Sequence, residues 1–195
     1  MPLISIEKFS NKALLGIWQL TEQPDDFCLP QKKSILTQYK STVRQTEKLA
    51  SYALLTAMTG DDDLLIAHEK SGRPLLVDWH ISISHTRGYV AVILSRDRRV
   101  AVDIEYVANR VNKVASKFIR EDETATTTLT RLLHWSAKET AYKYYSEQQL
   151  TFFEMRLKPF QPESEGTLTL ENLRSDRTLT ICYRQNNAYV LTYAI

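Results

Sequence analysis

The chain is poor in the residues and patterns that mark several classes of protein. Its 195 residues include two cysteines, Cys28 and Cys182, which have neither metal-binding spacing nor a disulfide framework. Five glycines and six prolines exclude a collagen-like or low-complexity chain. The longest apolar run near the N-terminus, residues 13–18, is far too short to cross a membrane and lacks the flanks of a secretory signal. These absences predict a protein of a reducing, cytoplasmic setting.

The charge and composition are those of an ordinary globular protein. The net charge of +2 is too small to indicate nucleic-acid binding by itself. Hydrophobic residues make up 43% of the chain and charged residues 25%, which is typical of a folded soluble domain. The length allows one large domain or two small halves.

Hydrophobic periodicity predicts two long helices, over residues 41–59 and 130–147. Thr42 and Gln45 have the form of a capping box at the start of the first, and Gly60 stands where that helix would stop.

Other segments favour strands and turns. Residues 89–95 and 99–105 predict a hairpin, and residues 109–120 a further helix. The C-terminal third predicts a four-stranded meander, over residues 152–157, 167–170, 179–184 and 189–194.

The order of these elements predicts an α+β protein of two similar halves, each a small antiparallel sheet packed with a long helix. We place the boundary near the predicted turn of residues 96–99. This gives an N-terminal half of residues 1–97 and a C-terminal half of residues 98–195.

One predicted strand carries two carboxylates. Residues two apart on a strand share a face, so Val102 and Ile104 point toward a core while Asp103 and Glu105 point the other way. The two carboxylates start roughly 7 Å apart and can converge on one hard cation such as Mg²⁺. The alternative is a strand whose acidic face is simply solvated.

The second long helix carries a third carboxylate. Glu139 and Lys143 are four residues apart on one face, and Trp135 lies one turn earlier. One interpretation is a metal carboxylate between two phosphate-binding groups, Lys138 and Lys143, in which Glu139 could also take a proton from an attacking hydroxyl. The other is a surface ion pair with the tryptophan in the core.

Basic residues of the first half offer further phosphate contacts. His85, which follows a predicted strand, could donate to a phosphate oxygen, and Arg73 lies in a nearby loop. Arg44 and Lys48, four apart on the first long helix, could form a second anion site or could merely be solvated.

Three segments taken together resemble the 4′-phosphopantetheinyl transferase superfamily, in its longer single-chain, two-half form. They are Ile-Ser-Ile-Ser-His at 81–85, Val-Asp-Ile-Glu at 102–105 and Trp-Ser-Ala-Lys-Glu-Thr-Ala-Tyr-Lys at 135–143. Gly-Arg-Pro at 72–74 is similar to the family's Gly-Lys-Pro loop, and residues 117–123 are similar to the segment that precedes its lysine helix.

The resemblance implies a holo-acyl-carrier-protein synthase type of reaction, in which the 4′-phosphopantetheine arm of coenzyme A is moved to a serine of an apo carrier protein and 3′,5′-ADP is released. It implies Mg²⁺ at Asp103, Glu105 and Glu139, catalysis by Glu139 and Lys143, and coenzyme A contacts from His85, Arg73, Lys138, Lys143, Arg44 and Lys48. The expected partners are acyl or peptidyl carrier proteins of fatty-acid, polyketide or nonribosomal peptide synthesis. We expect no nucleic acid, no membrane, and a monomer.

The sequence departs from the family pattern at residues that are not metal ligands. Arg73 replaces a lysine, Ala101 stands where glycine is common, and Ile119 replaces an aromatic residue. Two alternatives remain open: a non-catalytic module of the same fold that binds a carrier protein or a nucleotide, and a weakly basic nucleic-acid-binding protein.

Overall fold

The computed structural model describes residues 2–9 and 12–195. The chain forms two compact units, Met1–Arg99 and Val100–Ile195. Each contains an antiparallel sheet and a long helix, so the predicted α+β class is confirmed. The two-half arrangement and its boundary at residue 97 stay predictions. No helix of the described residues is both long and apolar enough to pass through a bilayer.

The first unit is built on a four-stranded sheet of order β1-β2-β6-β5, with a separate β3-β4 pair. Its elements are β1 (Leu3–Lys8), β2 (Leu14–Gln19), α1 (Lys32–Gln38), α2 (Thr42–Thr59), β3 (Ala67–His68), β4 (Pro74–Leu75), β5 (His80–Thr86) and β6 (Tyr89–Ser95).

Helix α2 packs closely on the sheet because Gly16 of β2 has no side chain. A Cβ atom there would lie 2.7 Å from Leu54 and 2.8 Å from Met58, both on α2. The helix ends as predicted at Gly60, whose left-handed backbone (φ +75°) suits glycine and whose N–H donates to Thr56.

The predicted capping box of α2 is wrong. The N-cap is Ser41, whose side chain makes no capping hydrogen bond. The Gln45 side chain turns instead to the end of α1, where its amide donates to the carbonyls of Tyr39 (2.6 Å) and Leu36 (3.3 Å). Gln45 therefore fixes the connection between α1 and α2, because it satisfies carbonyls that the end of α1 leaves unpaired.

The second unit is built on a five-stranded sheet of order β7-β11-β10-β9-β8. Its elements are β7 (Ala101–Tyr106), α3 (Thr128–Tyr144), β8 (Met155–Leu157), β9 (Glu165–Asn172), β10 (Arg177–Gln185) and β11 (Tyr189–Ala194). Short 3₁₀ helices occupy Asn109–Lys113, Ala115–Lys117, Ser146–Gln148 and Phe152–Glu154.

The predicted hairpin of residues 89–95 and 99–105 is wrong. Strand β6 pairs with β5 and β2 in the first unit, whereas β7 pairs with β11 in the second. The true hairpin joins β5 to β6 through Arg87 and Gly88, because Gly88 supplies the positive φ (+83°) that a two-residue turn needs. Strand β7, which carries the two carboxylates, therefore pairs with β11, the last strand of the chain.

The predicted helix over residues 109–120 is also wrong. Two 3₁₀ turns replace it and bury Val111 and Phe118 in the core of the second unit. Asparagine and β-branched residues lower helix propensity here, so burial of these two side chains decides the path of the chain.

Helix α3 lies against the sheet through small residues. Ala137 and Ala141 are fully buried beside Val190 and Ala194 of β11, which brings the helix backbone close to the sheet. The helix begins in a capping box, in which the Thr127 hydroxyl accepts from the backbone N–H of Thr130. Its start and end differ by two and three residues from the prediction, which is ordinary for helix ends.

Candidate functional site

The two carboxylates of β7 face helix α3. In the antiparallel register Asp103 lies opposite Thr192 and Glu105 opposite Val190, and paired residues share a face of the sheet. Thr192 is hydrogen-bonded to α3, so the helix covers the carboxylate face. The core lies on both faces of β7 and not only on that of Val102 and Ile104, because Ala101 and Asp103 on the other face are buried too. Because Asp103 is only 4% exposed, a solvated acidic face is excluded for it.

Asp103 is held by two donors from α3. The Lys143 ammonium lies 2.8 Å from one carboxylate oxygen and the Ser136 hydroxyl 2.8 Å from the other. Lys143 also donates to the Val102 carbonyl (2.9 Å). Charge-assisted bonds of this length fix both the lysine and the carboxylate.

Buried hydroxyls support Ser136 from behind. The Ser136 and Thr192 oxygens are 2.8 Å apart, and the Thr140 and Thr192 oxygens are 2.7 Å apart. Thr192 also donates to the Ser136 carbonyl at 3.0 Å. This chain of hydroxyls links β11 to α3 next to Asp103. Each of the three hydroxyl oxygens therefore has a hydrogen-bond partner.

Glu105 is oriented by Trp135. The indole N–H donates to one Glu105 oxygen at 2.7 Å, and the ring is held between Phe118 and Phe152, each with its centroid 5.2 Å away. Burial raises the pKa of Glu105 to about 7, and the negative charges of Asp103 and Glu139 add to this shift. The Trp135 bond and Lys143 oppose it.

Glu139 differs from the other two carboxylates because it has no partner. Within residues 2–9 and 12–195 it makes no hydrogen bond and no ion pair. Burial raises the pKa of Glu139, the Asp103 charge adds to the shift, and Lys143 opposes it. The three carboxylates therefore share one electrostatic environment that contains one ammonium group, and this environment favours a further cation.

The donor chemistry fits Mg²⁺. Mg²⁺ prefers hard oxygen ligands and usually takes one or two carboxylates together with substrate phosphates. Among the described residues, the set of three whose ligand atoms all lie within 4.8 Å of one another is Asp61, Asp62 and Asp63, in an exposed turn. Asp103, Glu105 and Glu139 are outside that limit.

The raised pKa of Glu105 gives a testable pH dependence. Its ordinary value is 4.5, so between pH 4.5 and 7 the folded chain keeps a proton that the unfolded chain has lost. Stability must then fall as the pH rises through this window, by about 3 kcal/mol for one such group. We expect Glu105→Gln to remove this loss in urea unfolding with EDTA at pH 5 and pH 8. An equal pH dependence in both proteins would contradict the assignment.

The structure does not support a phosphate contact for Lys138. Its ammonium has 0% exposure and lies 2.7 Å from a Glu123 oxygen, which is also buried. It donates as well to the carbonyls of Phe118 (2.7 Å) and Phe152 (3.2 Å). The predicted role is incompatible with this environment, because a phosphate cannot reach the group. Lys138 instead ties two loops to α3 beside Glu139.

A cavity of about 420 Å³ opens beside Glu105. Its walls are largely apolar. Polar groups of the lining come from Glu105, Trp135 and two basic residues. The lining includes Val111, Val114, Leu132, Phe152, Arg110 and Lys117.

In the first unit the predicted anion contacts fall into separate places. Arg44 lies 3.1 Å from the ring of His85, and Arg73 is 3.8 Å from Glu69. Lys48 lies 3.4 Å from His68, and the charge of Arg44 also acts on it, so the joint anion site of Arg44 and Lys48 stays a prediction.

Lys48 faces a second cavity, of about 410 Å³. Its pKa is lowered by burial and by the charge of Arg44, with Glu47 opposing. In the part of the chain that the structure describes, Lys48 makes no salt bridge, and it lies 5.9 Å from the centre of the Tyr39 ring.

These features of the second unit, an acidic strand covered by a helix that bears a carboxylate and a lysine, suit a transferase acting at a phosphate. Residues 99–194 match the family model of the 4′-phosphopantetheinyl transferase superfamily. The chain belongs to this superfamily through its second unit. A search of curated proteins found no match.

Sequence reasoning missed several residues of the site. Ser136 lies inside the segment that carries the resemblance, and its place one turn before Thr140 could have indicated that it faces the strand. Thr192 had no such signal, because only the register of β11 with β7 brings it behind Asp103.

Proposed function

We propose that the chain transfers the 4′-phosphopantetheine arm of coenzyme A to a serine of an apo carrier protein, with Mg²⁺ bound by Asp103, Glu105 and Glu139. The observation that carries the proposal is the shared environment of these three carboxylates and Lys143 in the unit that matches the superfamily. The released product is 3′,5′-ADP.

A bound Mg²⁺ would supply positive charge near the pyrophosphate. In the reaction the serine oxygen forms a bond to phosphorus, and the bond from that phosphorus to the leaving 3′,5′-ADP breaks. The protein supplies fixed ligands, since Ser136 and Lys143 orient Asp103 while Trp135 orients Glu105. Fixed ligands of this kind lower the barrier because little reorganisation is left for the reaction itself.

Glu139 is the base in this proposal. It accepts no hydrogen bond from the residues that the structure describes, and its raised pKa makes it a better proton acceptor than an ordinary glutamate. It takes the proton of the acceptor serine, whose oxygen then attacks the phosphorus. Lys143, beside Asp103, neutralises the charge that gathers on the phosphate oxygens.

Residues of the first unit are proposed to bind the nucleotide end of coenzyme A. His85, Arg44 and Arg73 offer donors to phosphate, and the half-buried Lys48 lacks a salt bridge within the described ranges. A desolvated ammonium in a cavity favours an anionic ligand. Lys138 is not among the proposed phosphate contacts, because its ammonium is buried against Glu123.

The rival proposal is a non-catalytic module of the same fold. The half-buried Glu139 argues against it, because a carboxylate with no hydrogen-bond or ion-pair partner among the described residues is costly unless a cation or a substrate proton uses it. A mass measurement separates the two. We expect apo carrier proteins incubated with the chain, coenzyme A and Mg²⁺ to gain the mass of one phosphopantetheine arm. No gain across fatty-acid, polyketide and peptide carriers would favour the module.

Removal of divalent cations is expected to abolish the transfer. One buried and two half-buried carboxylates beside the Lys143 ammonium would repel the pyrophosphate when no metal is bound. The mass gain should disappear in EDTA and return with excess Mg²⁺. Independently of activity, Mg²⁺ should raise the unfolding midpoint more at pH 8 than at pH 5, because protons compete for Glu105 at the lower pH. Unchanged turnover in EDTA would refute the metal site.

A further inference from the structure

Three buried hydroxyls of the second unit form a line that ends at Asp103. Ser136 and Thr140 lie on α3 and Thr192 on β11, and all three residues are 0% exposed. The Ser136 oxygen is 2.8 Å from a carboxylate oxygen of Asp103 and 2.8 Å from the Thr192 oxygen. The Thr140 oxygen follows, 2.7 Å from that of Thr192. Because each hydroxyl has one proton to donate, these contacts fix the direction in which the hydrogen bonds run.

The direction of the line follows from its end at the carboxylate. Asp103 is paired with Lys143, and an ionised carboxylate only accepts, so the Ser136 proton points to Asp103. The Thr192 proton must then point to residue 136, whose hydroxyl oxygen (2.8 Å) and carbonyl oxygen (3.0 Å) are both within reach. Thr140 in turn donates to Thr192, whose hydroxyl oxygen is nearer (2.7 Å) than its carbonyl oxygen (3.3 Å). Reversal of either threonine would leave two hydroxyl oxygens in contact with no proton between them.

We propose that Thr192, supported by Thr140, is a positioning residue for Asp103 and strengthens metal binding through Ser136. The inference rests on the proposed function, in which Asp103 is a ligand of Mg²⁺. The Thr192 hydroxyl donates to residue 136 and so keeps the Ser136 proton aimed at Asp103. Ser136 and Lys143 then hold the two carboxylate oxygens, so that little reorganisation is needed when a cation binds. Hydrogen-bond partners behind a metal ligand contribute about 10–100-fold to metal affinity in proteins.

The surroundings of Thr192 show that packing does not require a hydroxyl there. Its neighbours on the same face of β11, Val190 and Ala194, are apolar and lie in the hydrophobic core of the second unit. Valine has the shape of threonine and would suit such a face. A hydroxyl at this depth costs free energy unless it is hydrogen-bonded, so the contacts to Ser136 and Thr140 explain the residue type.

The test is the affinity of the full chain for Mn²⁺, which binds the same oxygen ligands as Mg²⁺ and whose free ion is counted by its EPR signal. Asp103→Asn defines the binding that depends on this site, since the exposed carboxylates of residues 61–63 can also hold a cation. Thr192→Val should raise the dissociation constant of the Asp103-dependent site by roughly tenfold, and Thr192→Ser, which keeps the hydroxyl, by less than about twofold.

Two comparisons separate positioning from a general loss of packing. Ile181→Val removes a buried methyl group from the core of the same unit, so it should lower the unfolding midpoint and leave Mn²⁺ affinity unchanged. Ser136→Ala removes the group through which Thr192 acts and should weaken Mn²⁺ binding by about tenfold or more. In that background Thr192→Val should add less than about twofold, whereas two independent effects would multiply.

Equal Mn²⁺ affinity of the wild-type protein and Thr192→Val overturns this inference and leaves the proposed function intact. The same holds if Ile181→Val weakens binding as much, or if the two effects multiply in the Ser136→Ala background. Absence of Asp103-dependent Mn²⁺ binding by the wild-type protein overturns both. Should Thr192→Val not fold, Thr140→Val tests the next bond of the line and should weaken binding by about two- to fivefold, but only while Ser136 is present. Unchanged binding by that variant would then refute the positioning role.

Discussion

Glu139→Ala is expected to lower the rate of phosphopantetheine transfer by roughly a thousandfold or more, because it removes the proposed base and a proposed metal ligand together. The fold should survive the change. Glu139 has no hydrogen-bond or ion-pair partner in the described chain, and partial burial raises its pKa, so its removal relieves an unfavourable, half-buried charge.

The rate is measured as the mass gain of an apo carrier with time, and folding is checked by urea unfolding. Glu121→Ala is the matched control, since Glu121 is exposed and lies outside the carboxylate cluster. Near-normal transfer by the Glu139 variant would remove this residue from the reaction. A variant that fails to unfold cooperatively would instead show that Glu139 has a structural part.

Lys138→Met should destabilise the protein by about 3–5 kcal/mol, because it leaves the buried Glu123 without its counter-charge. The loss is large against a typical folding free energy of about 5–15 kcal/mol. The two hydrogen bonds that tie the carbonyls of Phe118 and Phe152 to α3 are lost with it. Urea unfolding with EDTA measures the change.

Two further variants show whether charge pairing is the cause. Lys113→Met removes an exposed lysine of the same unit and should change stability by less than about 0.5 kcal/mol. Adding Glu123→Gln to Lys138→Met should recover part of the loss, since a neutral amide can still accept from the Leu157 N–H. A double variant no more stable than Lys138→Met alone would argue against the unpaired charge.

Local sequence predicted the regular elements whose signals lie within one segment. Helix α2 followed from its apolar periodicity and from Gly60. The hairpin across residues 96–99 failed because strand pairing depends on partners distant in the chain, and the partner of β7 is β11, some ninety residues later. The capping box failed because Gln45 found carbonyls of another helix within reach.

For the site, sequence singled out Asp103, Glu105, Glu139 and Lys143 through their residue types and spacing, and their ligand roles stay predictions. Spacing could not tell Lys138 from Lys143. The two lysines are five positions apart and so point about 140° apart around the helix. Only the packing shows that Lys138 enters the core while Lys143 meets Asp103.

The sequence by itself determined the secondary-structure class, the two long helices and the segments that carry the family resemblance, because these depend on the order and period of nearby residues. The tertiary structure alone decided which face of β7 meets α3, which hydroxyls stand behind Asp103 and which lysine is buried. Those outcomes depend on strand register and helix packing, in which residues far apart in the chain compete for the same burial and the same hydrogen bonds.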